Sequence, residues 1–378
     1  MTTEPGNPPT VLFVAGAGRS GTSTVAGALS RLGFAVPQPE VPPDESNPRG
    51  FYEPQWVVDF HERVLEDIGI RVNDARPEAV DRAAVASARS DLFDELTEWL
   101  APYAADRIVV KDPRSFWLHE LWRRAIVKTG MEAVFLTMLR HPAEVAKSRD
   151  THYLACRDAE LRRARETTNV ASWCHGILVT ERATRDDRRT FVPYADLMSD
   201  WRAALRRVDE QLGLGVMTDV EETHHANDDF IDTALYRSKV TWDDLSVPAE
   251  VTALADEVWE TVNLLVSDPG DAAAMARMDE LHARYDRLYA LARDLMLDQT
   301  FVDRAAHRRT QAAARERFRA RIERLEERLA QARARAGRLE ERVALLQKQN
   351  DGLARELDRI RGSLPYRIAR RARRALPR

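Results

Sequence analysis

The chain has 378 residues, two cysteines and a formal net charge of −4, with 44% apolar and 31% charged side chains. That balance excludes a disordered chain; the cysteines show no CxxC or zinc spacing, and no apolar run reaches the about 18 residues of a membrane span. Residues 301–378 hold 23 basic against 10 acidic side chains and residues 1–300 hold 34 against 51, so an acidic body precedes a basic tail, where anionic partners are to be sought.

Residues 1–9 are polar and proline-rich without a secretory pattern, which predicts a disordered start and a cytoplasmic protein. Val11–Ala15 predicts a buried strand and Thr24–Leu32 a helix, with Gly16, Gly18, Arg19, Ser20, Gly21, Thr22 and Ser23 at the turn. A strand, tight turn and helix N-terminus in that order cradle phosphate, because unpaired N–H groups and the positive end of the helix dipole face the turn. A P-loop would carry lysine at position 22; Thr22 stands there, and the cation is Arg19. The glycines also fit the dinucleotide fingerprint, which wants a second strand and an acid about 20 residues on. Glu40 offers the acid, but Pro37 and Pro39 leave little strand before it. A glycine turn without a ligand is the third reading.

Further strands are predicted at Arg107–Val110, Ala133–Leu139 and Thr190–Val192, and helices at Trp56–Asp67, Ala79–Ala101, Trp117–Lys128, Ala143–Ala155 and Asp196–Leu212. The alternation predicts an α/β fold, a parallel sheet flanked by helices on both faces. After the third strand, Arg140 leaves the strand end, Pro142 opens a helix and Ser148 follows within it. Arginine with a hydroxyl suits a second phosphate; read alone, the segment is a strand-to-helix junction with a surface arginine. Trp56, Trp117, Trp122 and Trp173 either stack on a ligand or fill the core. Residues 215–300 read as mostly helical, with loops at His224–Asp229 and Ser267–Asp271.

From about residue 305 the composition collapses onto Ala, Arg, Glu and Leu, and apolar positions run from Phe318 through Ile322, Leu325 and Leu329 to Leu353, Leu357 and Ile360 at alternating spacings of 4 and 3. This is a heptad seam that predicts a homodimer through residues 305–360. Asn350 falls on the seam, where a buried amide sets parallel register; alternatively Asn350-Asp351-Gly352 is a turn that ends the helix. Residues 364–378 carry six arginines and no acid. They fit a short amphipathic helix on the inner face of an anionic membrane, a solubilising tail, or, less well without interleaved aromatics, a nucleic-acid contact. The expected domains are a tail at 1–9, a catalytic domain at 10–300, a coiled coil at 301–362 and a basic tail at 363–378.

Taken together, these segments resemble the PAPS-dependent sulfotransferases of the bacterial and carbohydrate type. Arg19-Ser-Gly-Thr-Ser-Thr24 matches that family's 5′-phosphosulfate loop, and Arg140 and Ser148 keep the eight-residue spacing of its 3′-phosphate motif. Asn47-Pro-Arg-Gly-Phe-Tyr-Glu-Pro54, Val110-Lys-Asp-Pro-Arg114 and Phe191-Val-Pro-Tyr-Ala-Asp-Leu197 are similar to further family segments, so the resemblance spans about residues 10–215. It implies a P-loop-like fold that binds PAPS through Arg19, Ser20, Gly21, Thr22, Ser23, Thr24, Arg140 and Ser148 and requires no metal. Arg19 would neutralise the leaving phosphate, and the acceptor would be a hydroxyl on a glycan, glycolipid or other envelope molecule. The resemblance points to Glu53 as base, ahead of Asp112, which stands where the cytosolic branch has histidine, and of His61 or His152. Lys111 and Arg114 are candidates for phosphate or acceptor contact, or for a salt bridge at the core rim, and Arg237 for a third phosphate contact. The late Arg-Lys-Gly segment of the cytosolic branch is missing. A kinase or NTPase, and a nucleotide-binding head on a coiled-coil scaffold, are the alternative functions.

Overall fold

The computed structural model describes residues 8–45, 47–153, 158–218, 220, 224–232, 240–362, 364–365, 367–368 and 371, with side chains for all but 150–153 and 302–307 among them. Four strands, β1 (Thr10–Ala15), β2 (Arg107–Lys111), β3 (Glu132–Leu139) and β4 (Arg188–Pro193), pair in parallel in the order β2-β1-β3-β4. β1 is buried along its whole length. A parallel strand covered on both faces needs a continuous apolar run rather than alternation, which is why Val-Leu-Phe-Val reads so clearly. Val11 and Phe13 enter one core, with α2 (Gln55–Asp67), α3 (Glu78–Ser87), α4 (Ser90–Leu100) and α5 (His119–Thr129). Leu12 and Val14 enter the opposite core, with α1 (Thr22–Ser30), α8 (Tyr194–Ser199) and α9 (Trp201–Leu212). A third core joins the ends of β3 and β4 to α6 (Pro142–Tyr153), α7 (Ala159–Ala183), α11 (Ala249–Leu264) and α12 (Ala272–Leu295).

The strand order places the site. From β1 the chain moves to β2 on one side, then crosses back to β3 on the other. The loops after β1 and β3 therefore leave in opposite directions and open a crevice beyond the carboxyl ends of those strands. The glycine loop and Arg140 occupy its two sides. The segment that a dinucleotide fold would use as its second strand is reduced to a single bridge, Ala35 to Ile108.

Several helices differ from their sequence patterns. The expected helix 79–101 is two, α3 and α4, because Arg89 turns extended and its guanidinium clamps Asp67 and Asp91, each at 2.7 Å, while Arg124 takes up the carbonyl of Ser87 at 2.8 Å. The expected helix 196–212 breaks at Asp200, whose carboxylate caps α9 by accepting from the N–H of Ala203 at 2.9 Å. The expected loop 224–229 is largely taken up by α10 (Ala226–Phe230), which His225 and Asp228 cap reciprocally. The 25-residue α7 was not legible as an element: it buries Glu166, Ser172, His175, Thr180 and Glu181 among its apolar residues, so no amphipathic stripe marks it.

Two compact units comprise residues 1–293 and 294–378. In the second, α13 (Leu297–Gly362) runs for 66 residues, continuing through Asn350-Asp351-Gly352, so the turn reading of that tripeptide is corrected. Of the basic tail, residues 363, 366, 369–370 and 372–378 lie outside the described residues. Among the described residues no helix is long and apolar enough to cross a membrane.

Candidate active site

The glycine loop is pinned at both ends by close packing. Gly16 has φ +134° and lies where an added Cβ would sit 2.8 Å from the carbonyl oxygen of Met138 on β3. Gly21 has φ +88°, and an added Cβ would sit 2.2 Å from the Tyr194 ring. Only glycine fits such positions. α1 starts immediately after Gly21 with no side-chain cap, so its first N–H groups remain for an anion. Ser20 is fully buried, and its hydroxyl has no hydrogen-bond partner among the described residues. A buried hydroxyl left open beside uncapped N–H groups fits a phosphate oxygen.

Arg19 takes φ +76°, unusual for a residue with a side chain. Its carbonyl accepts from Arg140 at 3.0 Å, and its Nε donates to the Ser148 hydroxyl at 3.1 Å. The two clusters, 129 residues apart in sequence at Arg19 and Ser148, are in direct contact. Arg140 also donates to Glu144 at 2.7 Å and lies 5.0 Å from the centre of the Tyr194 ring. Tyr194, the first residue of α8, therefore packs against both Gly21 and Arg140. In the sequence, Tyr194 is marked only as an aromatic residue at a strand end within Phe191-Val-Pro-Tyr-Ala-Asp-Leu197.

The lysine that the loop lacks arrives from the neighbouring strand. Lys111, at the end of β2, is buried; its Nζ donates to the Ser23 hydroxyl oxygen at 3.2 Å and pairs with Glu53. Asn47 Nδ2 donates to the same Ser23 oxygen at 3.2 Å and to the carbonyl of Gly50 at 2.7 Å. With two donors on its oxygen, Ser23 keeps its own proton to donate. Burial raises the Glu53 carboxyl above its ordinary range, and the Lys111 ammonium opposes that rise.

Asp112 is otherwise engaged. Its carboxylate accepts from His61 Nδ1 at 2.9 Å and from the backbone and side chain of Arg114 at 2.9 and 3.0 Å. Burial works against its charge, but His61 and Arg114 hold it below the usual carboxylate range. Trp122 donates its indole N–H to His61 Nε2 at 2.8 Å; Nε2 therefore accepts, and Nδ1 carries the proton given to Asp112. Asp112 and His61, both fully buried, tie β2 to α2. Arg114 completes the rim by pairing with Glu62. Trp117, Trp122 and Trp173 are core residues, and Trp56 stacks on Phe60 and Trp99, both at 4.9 Å. The His152 side chain and Arg237 lie outside the described residues.

The sulfotransferase family matches residues 9–219, more than half of the chain and every element that carries these groups. The chain belongs to the sulfotransferase family. Solved structures similar to this sulfotransferase include the sulfotransferase domain of the Synechococcus olefin synthase, at 17% identity and TM-score 0.37, covering 70% of this chain and 98% of that one. A sulfotransferase from Mycobacterium tuberculosis matches at 16% identity and TM-score 0.34, covering 60% and 75%. The sulfotransferase domain of the curacin biosynthetic pathway matches at 12% identity and TM-score 0.36, covering 68% and 98%. A search of curated proteins finds no match. Among the described residues of this sulfotransferase, no group of three or more His, Cys, Asp or Glu is arranged to hold a metal ion.

The Lys111–Glu53 pair predicts a pH-dependent stability loss. In Lys111→Met the carboxyl keeps its burial and loses its cation, so its folded-state pKa rises further above the unfolded value. Such a group costs nothing below the unfolded-state pKa, and its cost grows until pH passes the folded-state value. Denaturant unfolding at a series of pH values should show Lys111→Met less stable than wild type by about 3–5 kcal/mol at neutral pH, the gap closing on acidification. A gap independent of pH would remove the ion pair as its cause.

Proposed function

We propose that the protein transfers the sulfuryl group of PAPS to an acceptor hydroxyl on a glycan, glycolipid or other envelope molecule. The observation that carries this reading is the direct contact of Arg19 with Ser148, and of Arg140 with the Arg19 carbonyl, across the crevice between β1 and β3. Two separate anion-binding groups meeting in one crevice suit a nucleotide with phosphates at both its 5′ and 3′ positions. The unpartnered Ser20 hydroxyl and the uncapped start of α1 further support the fit.

PAPS, when bound, supplies the sulfuryl group and a phosphate leaving group. The N–H groups and hydroxyls of Ser20 to Thr24 would hold its 5′ end, and Arg140 and Ser148 its 3′-phosphate. Arg19 and Lys111 would neutralise charge at the leaving oxygen. Arginine keeps its proton, so Arg19 acts through charge and hydrogen bonding. Glu53 would take the proton of the acceptor hydroxyl; a carboxyl raised by burial is the stronger base, and the Lys111 ammonium opposes that rise.

Thermal unfolding with PAP, Mg-ATP and NAD discriminates this reading from a kinase, an NTPase or a dinucleotide enzyme. PAP alone should raise Tm; at 100 times its Kd the stabilisation is about 2.7 kcal/mol. A shift with Mg-ATP and none with PAP would overturn the assignment. Glu53→Gln should retain the PAP shift and lower kcat by about 10²–10⁴-fold. Full turnover in Glu53→Gln would require another base.

We also propose that residues 301–362 pair two copies of the chain in parallel, and that the basic end at 364–378 lies against the inner face of an anionic membrane. Phe318, Ile322, Leu325, Leu329, Leu339 and Val343 are each at least half exposed along one side of α13, a seam that a second copy would cover. In sedimentation, the full chain should behave as a dimer, and Leu325→Glu with Leu346→Glu as a monomer with unchanged PAP affinity. A monomeric wild type would end the dimer proposal.

A further inference from the structure

Three neighbouring cavities run away from the glycine loop along α7, and the donor-binding groups use none of them. The first is a gap of about 20 Å³ walled by Gly16 and Gly18 of the loop, Asn73 and Trp173. The second, of about 380 Å³, shares Val72 and Asn73 with the first and adds Arg71 and Arg165. The third, of about 340 Å³, shares Arg71 and Thr168 with the second and is lined chiefly by apolar side chains, among them Leu254, Leu288 and Tyr289.

Each has its own chemistry. The first holds little more than one small polar group, since a water needs about 10–15 Å³. Trp173 is 1% exposed, and its indole N–H has no partner among the described residues. Asn73 accepts from Arg149 through Oδ1 at 2.9 Å, which leaves its amide N–H₂ to donate. A hydroxyl fits there and a sugar ring does not. The second cavity presents two guanidiniums that have no carboxylate partner among the described residues. Among the described residues, no acidic side chain lines any of the three cavities. That is a marked local reversal in residues 1–300, where acids outnumber bases 51 to 34. The third is of a size that takes an apolar ligand segment.

We propose that this run is the acceptor channel and that the acceptor is a single-chain anionic amphiphile. Its terminal hydroxyl passes through the gap beside the loop toward the donor and Glu53, an anionic group meets Arg71 and Arg165, and its alkyl or isoprenoid chain fills the third cavity. The proposal rests on the sulfuryl-transfer reading and narrows its acceptor from envelope molecules in general to lipids of this build.

The test uses the full chain and 2-hydroxyethyl n-alkyl phosphates with chains of 4, 6 and 8 carbons below their micellar concentrations, titrated calorimetrically with PAP present. Kd should fall about fourfold per added methylene until the cavity is full. The neutral 2-hydroxyethyl alkyl ethers should bind at least about tenfold more weakly, as expected for loss of a charge-assisted contact. Ala171→Trp, at the half-buried wall of the third cavity, should flatten the chain-length dependence. Arg165→Gln should reduce the preference for phosphate over ether. Neither variant should alter PAP affinity. Kd values independent of chain length in the wild type, whatever Ala171→Trp does, would overturn the channel while PAP binding upholds the donor site. The expected series without any PAP binding would instead uphold the amphiphile site and overturn the donor assignment.

Discussion

β1 lies between β2 and β3, paired in parallel with both, and the chain reverses its direction of progress across the sheet at that point. The site depends on this constraint. Because connections between parallel strands must cross a face, the loops following β1 and β3 part company and leave a crevice at their carboxyl ends. Into it project a glycine loop tight enough to touch Met138 and Tyr194, and an arginine whose guanidinium holds the carbonyl of Arg19. The unusual φ of Arg19 is held by Arg140, just past the end of β3, and by Ser148 of α6, which hydrogen-bond its carbonyl and its side chain. Strain of this kind persists only where its surroundings over-determine it.

The electrostatics follow from the same sheet. A lysine within the loop would bring its own charge to the start of α1; here the charge is divided between Arg19 in the loop and Lys111 on the adjacent strand. Placing the lysine on β2 ties it to Glu53, so cation, carboxylate and loop hydroxyl form one connected group. A buried pair of this sort is a poor source of stability, because desolvation offsets much of the attraction. It does set the direction of two side chains at the crevice. Beneath it, His61 and Asp112 are closed on each other and on Trp122 and Arg114, and serve to hold β2 against α2.

Much of this is legible in the amino-acid sequence. The four strands are recognisable as short runs that are apolar or β-branched at their centres, and the loop as glycines, hydroxyls and an arginine between a strand and a helix. The eight-residue interval between Arg140 and Ser148 is legible only through the resemblance to the sulfotransferases, and the structure brings both residues to Arg19. Other features were hidden for identifiable reasons. α7 buries Glu166, Ser172, His175, Thr180 and Glu181 beside its apolar residues, and polar side chains on the buried side blur the apolar stripe that periodicity needs. The break between α3 and α4 depends on Arg89 and Arg124, which act across space on carboxylates and a carbonyl. Lys111 and Asp112 are adjacent in sequence, yet one faces Glu53 and Ser23 while the other is closed on His61, because successive residues leaving a strand point to opposite sides.

The local features are written in the sequence: a glycine-rich turn between a strand and a helix, an arginine just past the third strand with a serine in the helix that follows, a heptad seam and an α/β alternation. These depend on neighbours a few residues apart, where backbone geometry leaves little choice. Tertiary packing brings Arg19 against Ser148, sets Lys111 between Ser23 and Glu53, and closes Asp112 on His61 and Arg114. Those outcomes turn on which strand lies beside which and on what each buried charge finds within hydrogen-bonding distance. Long-range pairing of that kind is set by the packing of the whole sheet and its helices, and no local pattern encodes it.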